Sequence, residues 1–250
     1  MIGDQLAPVA QTFGSTFASL VAWLVTWWTG GHDPGLGALR QALLHLWPII
    51  RWLSAAGLAL SLVLAGAGLS LRRRGADLAA LVIGVGRFLL VCSAGWLVLA
   101  WAWSASDALA RWILGGSLDA GAYSRELAGA LDEVEPVLAL TLSVAGIASC
   151  LLLVAVILAR FALAMVLTVT LPVVAAVSVT RSPLVLRRTV GWLIAVLAFR
   201  PLAYVVFRAG QQLHDSTSDG LLALVIAVVT FGAAAAVLPL SARVVSGRAT

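Results

Sequence analysis

The chain has 250 residues, 62% of them hydrophobic and only 11% charged, with a mean hydropathy of +1.04. Soluble domains average about 45–50% apolar and about 25% charged residues, and a globule of this length cannot hide 62% of 250, roughly 155 apolar side chains, so a soluble enzyme is all but excluded. At about 20 residues per span the apolar content supplies six or seven crossings, and the chain reads as one polytopic membrane domain.

The net charge of +5 and the pI near 10.5 raise nucleic-acid binding as an alternative. All 16 basic residues are Arg, however, and they form no single stripe. Loops held on the cytoplasmic side by their positive charge account for them better. Cys92 and Cys150 lie in apolar runs without a CxxC or Cys/His neighbour, which predicts buried, inert thiols rather than a disulfide or a metal site. Residues 1–39 contain neither Lys nor Arg, an unsuitable start for a secretory signal.

Residues 1–46 read as apolar and amphipathic entry helices. From Gln5 to Thr29 apolar content rises and ends in Trp27 and Trp28, an interfacial aromatic pair. Residues 12–30 therefore either span the membrane or lie on it. Gly30 to Gly35 break the chain by turn chemistry, and Leu36, Leu39, Leu43, Leu46, Trp47 and Ile50 recur at helical spacing beyond them.

Residues 47–116 predict a first transmembrane hairpin. Its first span, about Trp47 to Leu71, carries Gly57, Ser61 and Ala65 four residues apart, a stripe suited to close helix contact. It stops at Arg72, Arg73 and Arg74, expected as cytoplasmic topology anchors. The second span, about Leu78 to Trp103, is followed by an interfacial stretch from Ser104 to Gly116. Residues 117–136 hold Asp119, Glu126, Asp132, Glu133 and Glu135 against the single Arg125. With Tyr123, Leu127, Leu131 and Val134 on one face, they predict an outer-side interfacial helix.

Residues 137–250 form the predicted C-terminal bundle. Its first 44 residues, to Thr180, are apolar apart from Arg160 and Pro172. A straight helix of that length is ~66 Å, about twice a hydrocarbon core, so the expectation is one full crossing followed by an interfacial or re-entrant segment broken near Pro172. Arg181, Arg187 and Arg188 mark a cytoplasmic loop. Two more spans follow, about Val190 to Arg208 and Leu221 to Leu240, which leaves the C-terminus expected in the cytoplasm. The fold class expected is all-α, a polytopic transmembrane helix bundle of five to seven membrane segments with interfacial amphipathic helices.

Arginines within spans are the sharpest functional signal, since each costs at least ~2.5–3.5 kcal/mol at the bilayer centre. Arg87, Arg160, Arg200 and Arg208 are the candidates. At 100° per residue, Arg200, Tyr204 and Gln211 fall within about 40° of one another and Arg208 lies about 80° from Arg200. This stripe lines either an aqueous path or an interface, or its arginines snorkel and pair inside the bundle. Pro172 and Pro201 interrupt apolar segments where helices bend or end. No Asp or Glu is expected deep in any span. No GxSxG, HExxH, P-loop or paired intramembrane aspartates occur, and His32, His45 and His214 are expected to be solvated. No catalytic residue, cofactor or metal is therefore assigned, and transport would draw its energy from a partner.

Three blocks resemble the TrbL family of type IV secretion and conjugation machines, in particular its high-GC Gram-positive branch. They are Leu71 to Leu78 running on to Gly86-Arg87 and Ser106 to Leu109; Ala159-Arg160-Phe161-Ala162-Leu163 with Leu171 to Ala176 and Arg187 to Leu193; and Phe199-Arg200-Pro201-Leu202-Ala203-Tyr204-Val205-Val206-Phe207. The resemblance covers about two thirds of the chain, and relatives more usually carry Lys where this chain has Arg200. It implies a non-enzymatic scaffold or channel subunit that homo-oligomerises in the bacterial cytoplasmic (inner) membrane. Other secretion-machine membrane subunits and a separate cytoplasmic ATPase would be its partners, and DNA or protein cargo would touch it transiently. The alternative is the membrane permease subunit of an ABC exporter.

Overall fold

Long runs of Ala, Leu and Val leave the backbone no polar partner in lipid except itself, so helix is the form such segments must take. A computed structural model of the chain describes residues 2–29, 37, 41, 44–45, 48–49, 51–60, 63, 75–115, 119–178, 184–217 and 219–245. Among these residues the structure is all-helical. Six helices carry labels: α1 (Ile2–Thr29), α2 (Gly75–Leu114), α3 (Ala120–Asp132), α4 (Pro136–Val177), α5 (Leu184–Asp215) and α6 (Gly220–Val245). Residues 51–60 are helical as well.

Five segments are long and apolar enough to cross a bilayer: Leu6–Thr29, Val82–Leu114, Pro136–Ala176, Leu184–Asp215 and Gly220–Ser241. The chain is a multi-pass membrane protein built as a helix bundle. Leu89, Leu90, Leu97, Val98 and Trp101 of α2 stand exposed, as side chains that meet lipid do.

Two expected breaks take another form. The stretch from Ser104 to Gly116 is not a separate interfacial piece, because α2 continues through it to Leu114 and ends at Gly115 in the left-handed region, φ 71°. The segment expected to break near Pro172 is helical without interruption to Val177. Pro172 lies in the last turn and a half of α4, where a missing N–H removes a single bond. The Thr168 and Thr170 hydroxyls donate to the Ala164 and Val166 carbonyls in the turn before it. Pro201 and Pro239 likewise lie inside α5 and α6.

The non-spanning α3 shows the local logic plainly. Asp119 caps its N-terminus by accepting from the Gly121 and Ala122 amides, both at 3.0 Å. Leu127 and Leu131, one turn apart, are its buried residues.

The chain divides into two units by contact. The first combines Met1–Gly35, Ser106–Ala159 and Ala198–Leu240. Here α1 packs on α3 and on the first half of α4, where Phe17 is fully buried against Gly146. The second combines Leu36–Ala105, Arg160–Leu197 and Ser241–Thr250. Trp103, Ala164 and Val196 form one of its cores, and Phe88, Ala175 and Ala176 another. Gly57 of the small-residue stripe faces Ala176, with 3.5 Å to spare for an added Cβ, while Ser61 and Ala65 lie outside the described residues.

Candidate functional site

The polar groups of the first unit converge on the end of α1. The Trp28 carbonyl belongs to the last turn of that helix, where carbonyls lack an intrahelical donor. Two side chains of α5 supply donors: Arg200 Nη2 at 3.2 Å and the Tyr204 hydroxyl at 3.3 Å. Residues 200 and 204 can share one acceptor because they lie one turn apart on the same face. A cation at a helix C-terminus also opposes the negative end of the helix dipole.

The third partner comes from α2. Arg200 Nη1 donates to Asp107 Oδ1 at 2.9 Å, with the Arg200 side chain 8% and the Asp107 side chain 25% exposed. Asp107 is thus a carboxylate partner that the sequence did not single out. Asp107 falls in the stretch expected to leave the membrane, and the continuation of α2 keeps it within the Val82–Leu114 segment. The surroundings are aromatic. Trp28 meets Tyr204 edge-on at 5.0 Å between ring centroids, Phe207 edge-on at 5.3 Å and Phe199 at 6.3 Å, and the Arg200 guanidinium lies 5.8 Å from the Tyr204 ring. The void lined by Leu24, Trp28, Tyr204 and Phe207 measures about 10 Å³, room for one water at most. Here Arg200 and Tyr204 are buried against α1 and α2 and pair with groups inside the bundle.

Farther along α5, Gln211 is half-buried with Val25, Tyr123 and Thr230 around it. Its Oε1 finds no hydrogen-bond partner among the described residues. His214, expected to be solvated, is buried: its Nε2 lies 3.3 Å from Glu126 Oε2, and Tyr123 meets its ring edge-on at 5.2 Å. The reason is the apolar face of α3, which brings Tyr123 and Glu126 against the end of α5. Burial above all, with smaller contributions from Cys150 and the Glu126 and Asp215 carboxylates, pushes the Tyr123 phenol well above its ordinary range. Arg208 is exposed on another face and takes no part.

Arg160 belongs to the second unit and is fully buried. Its Nε donates to the Val196 carbonyl at 2.9 Å, and its guanidinium lies 4.8 Å from the Trp103 ring centroid. It ties α4 to α5 and α2 by a hydrogen bond and a desolvated cation–π contact, the latter worth about 2 kcal/mol. Pro172 is half-buried and Pro201 buried, each within its helix. Arg87, Arg187 and Arg188 are exposed, whereas Arg72, Arg73, Arg74 and Arg181 lie outside the described residues. Of the two thiols, Cys150 is buried as expected and Cys92 is exposed on the apolar surface of α2. Among the described residues no group of three or more metal-ligating side chains is found.

What the cluster offers chemically is a neutralised ion pair and a satisfied carbonyl holding three helices together. Comparison with known proteins adds no relative to this picture: no family model, curated protein or solved structure matches the chain.

Proposed function

We propose that this chain is a non-enzymatic scaffold subunit of a conjugation-type, type IV secretion machine, similar to the TrbL family, working in a bacterial cytoplasmic membrane. The reading rests on the resembling sequence blocks together with one observation about their arginines. Arg160 and Arg200, the charged residues of two of those blocks, each hold a backbone carbonyl of another helix, Val196 and Trp28 respectively. Charges spent on joining helices suit a subunit whose work is to hold a shape within an assembly. Homo-oligomerisation, neighbouring secretion subunits and a separate ATPase belong to the same proposal, as does passage of DNA or protein alongside the chain.

Purification of the full chain under mild detergent from its own cells tests this. A symmetric homo-oligomer larger than a dimer that brings secretion components with it is the expected result. A dimer bound to a nucleotide-binding subunit would replace this reading with an ABC exporter permease.

A further inference from the structure

The second unit contains a groove of about 660 Å³ between Leu44, the helical stretch 51–60, α2 and α4, within the size range of small-molecule sites. Its α2 wall runs from Phe88 to Leu99, about 16 Å at 1.5 Å per residue. That matches half of a hydrocarbon core, about 15 Å, which is the reach of one acyl chain. The lining is apolar, because its Ser93 and Thr168 hydroxyls donate to the carbonyls of Leu89 and Ala164 in their own helices.

Among the described residues one cation marks the groove. At one end Leu58 packs on Phe88 beside Ala176, and Arg51, also part of the lining, stands two helical turns away from Leu58, about 10 Å. It is exposed and forms no ion pair among the described residues. An arginine in the wall of an apolar groove, able to raise its guanidinium to the membrane surface, complements a molecule that is apolar along one chain and anionic at its head.

We propose that this groove binds one anionic phospholipid, an acyl chain lying along Leu58, Phe88 and Trp96 and the phosphate held by Arg51. Arginine suits the phosphate through paired, charge-assisted hydrogen bonds, and a headgroup without net charge would gain less from the same contact. Gly95 leaves the groove its width: a Cβ added there meets only Val91 at 3.8 Å, an ordinary contact, so a larger side chain fills the groove without disturbing the helices.

The test is native mass spectrometry of the full chain from nanodiscs containing equal phosphatidylglycerol and phosphatidylethanolamine. One phosphatidylglycerol per chain should survive transfer to detergent. Arg51→Gln should weaken its retention about tenfold, Arg51→Lys should keep most of the preference, and Gly95→Leu should reduce retention of both lipids. Arg125→Gln removes a charge from α3 and should change nothing, and excess inorganic phosphate should displace no lipid. Circular dichroism of each variant establishes that its helices are intact. Equal retention of the two headgroups, wild-type retention by Arg51→Gln, or displacement by inorganic phosphate would overturn the proposal. So would a change of oligomer mass in Gly95→Leu with lipid retention unaltered, since that assigns the groove to a second copy of the chain.

Discussion

Arg200 makes several contacts at once, to the Asp107 carboxylate, to the Trp28 carbonyl and across the Tyr204 ring, so its loss leaves Asp107 as an uncompensated charge in a largely buried site. Removing one partner of a buried pair costs about 3–5 kcal/mol, whereas replacing both by apolar groups of similar volume is near neutral. Arg200→Leu should therefore lower stability in detergent unfolding by about that amount, and adding Asp107→Leu should restore most of it; a double variant no more stable than the single would show that the pair does not act as a unit. The Tyr123 phenol supplies a pH effect. Its folded value lies above the ordinary 10.0, so its contribution to stability is complete below about pH 10 and is lost as pH rises toward the folded value. In a Tyr204→Phe background, which leaves Tyr123 as the single tyrosine, phenolate absorbance at about pH 11 should be absent from the folded protein and appear on unfolding. A full phenolate signal from the native state would show the site to be wet. Arg200 was legible in the sequence because a charge in an apolar run carries a known cost. Asp107 was not, since it lies 93 residues from its partner in the chain and among tryptophans that mimic an interface. Arg51 and His214 were missed for a related reason, as residues near span ends whose burial or cavity is decided by helices distant in sequence.

The helices meet most closely at glycines, and two of these contacts leave no room for a side chain. A Cβ at Gly146 would collide with the Phe17 ring, joining α1 to α4, and one at Gly210 with the Thr230 side chain, joining α5 to α6. Small residues permit such approach in membranes, where helices gain nothing from hydrophobic exclusion by water. Gly146→Ala should destabilise the protein by about 1–3 kcal/mol through overpacking. Gly129→Ala, in a helix where an added Cβ meets nothing within 4 Å, should stabilise it by about 0.5–1 kcal/mol through reduced backbone entropy. Equal thermal shifts for the two would argue that α1 and α4 do not meet as described. At this scale the apolar runs and the amphipathic helix α3 were readable from period and charge alone. The outcome at Pro172 was not: it signalled a break, yet it sits inside a helix, as Pro201 and Pro239 do. A proline removes one N–H, while the cost of exposing a non-helical backbone to lipid falls on several residues at once, so continuing the helix is the cheaper solution.

Over the whole chain, length sets the problem. α2 with 40 residues, α4 with 42 and α5 with 32 measure about 60, 63 and 48 Å, against a core near 30 Å. Each must tilt or stand out of the bilayer, and each gives residues to both contact units. This follows from an apolar content that exceeds what a few upright spans would use. A continuous α4 also bears on the direction of the chain, since a helix without a break cannot fold back within its own length. A single crossing, an odd number, is what the charge rule expects from the acidic residues Glu133 and Glu135 before it and the basic residues Arg187 and Arg188 after it. In a background of Cys92→Ala and Cys150→Ala, a cysteine at Glu135 and one at Arg187, both exposed positions, should react with a membrane-impermeant maleimide from opposite sides: Glu135→Cys in intact cells, Arg187→Cys only after permeabilisation. Labelling of both from one side would mean that residues 136–177 pass twice, which a single 42-residue helix cannot do, and the topology would have to be rebuilt around a hairpin opening near Pro172.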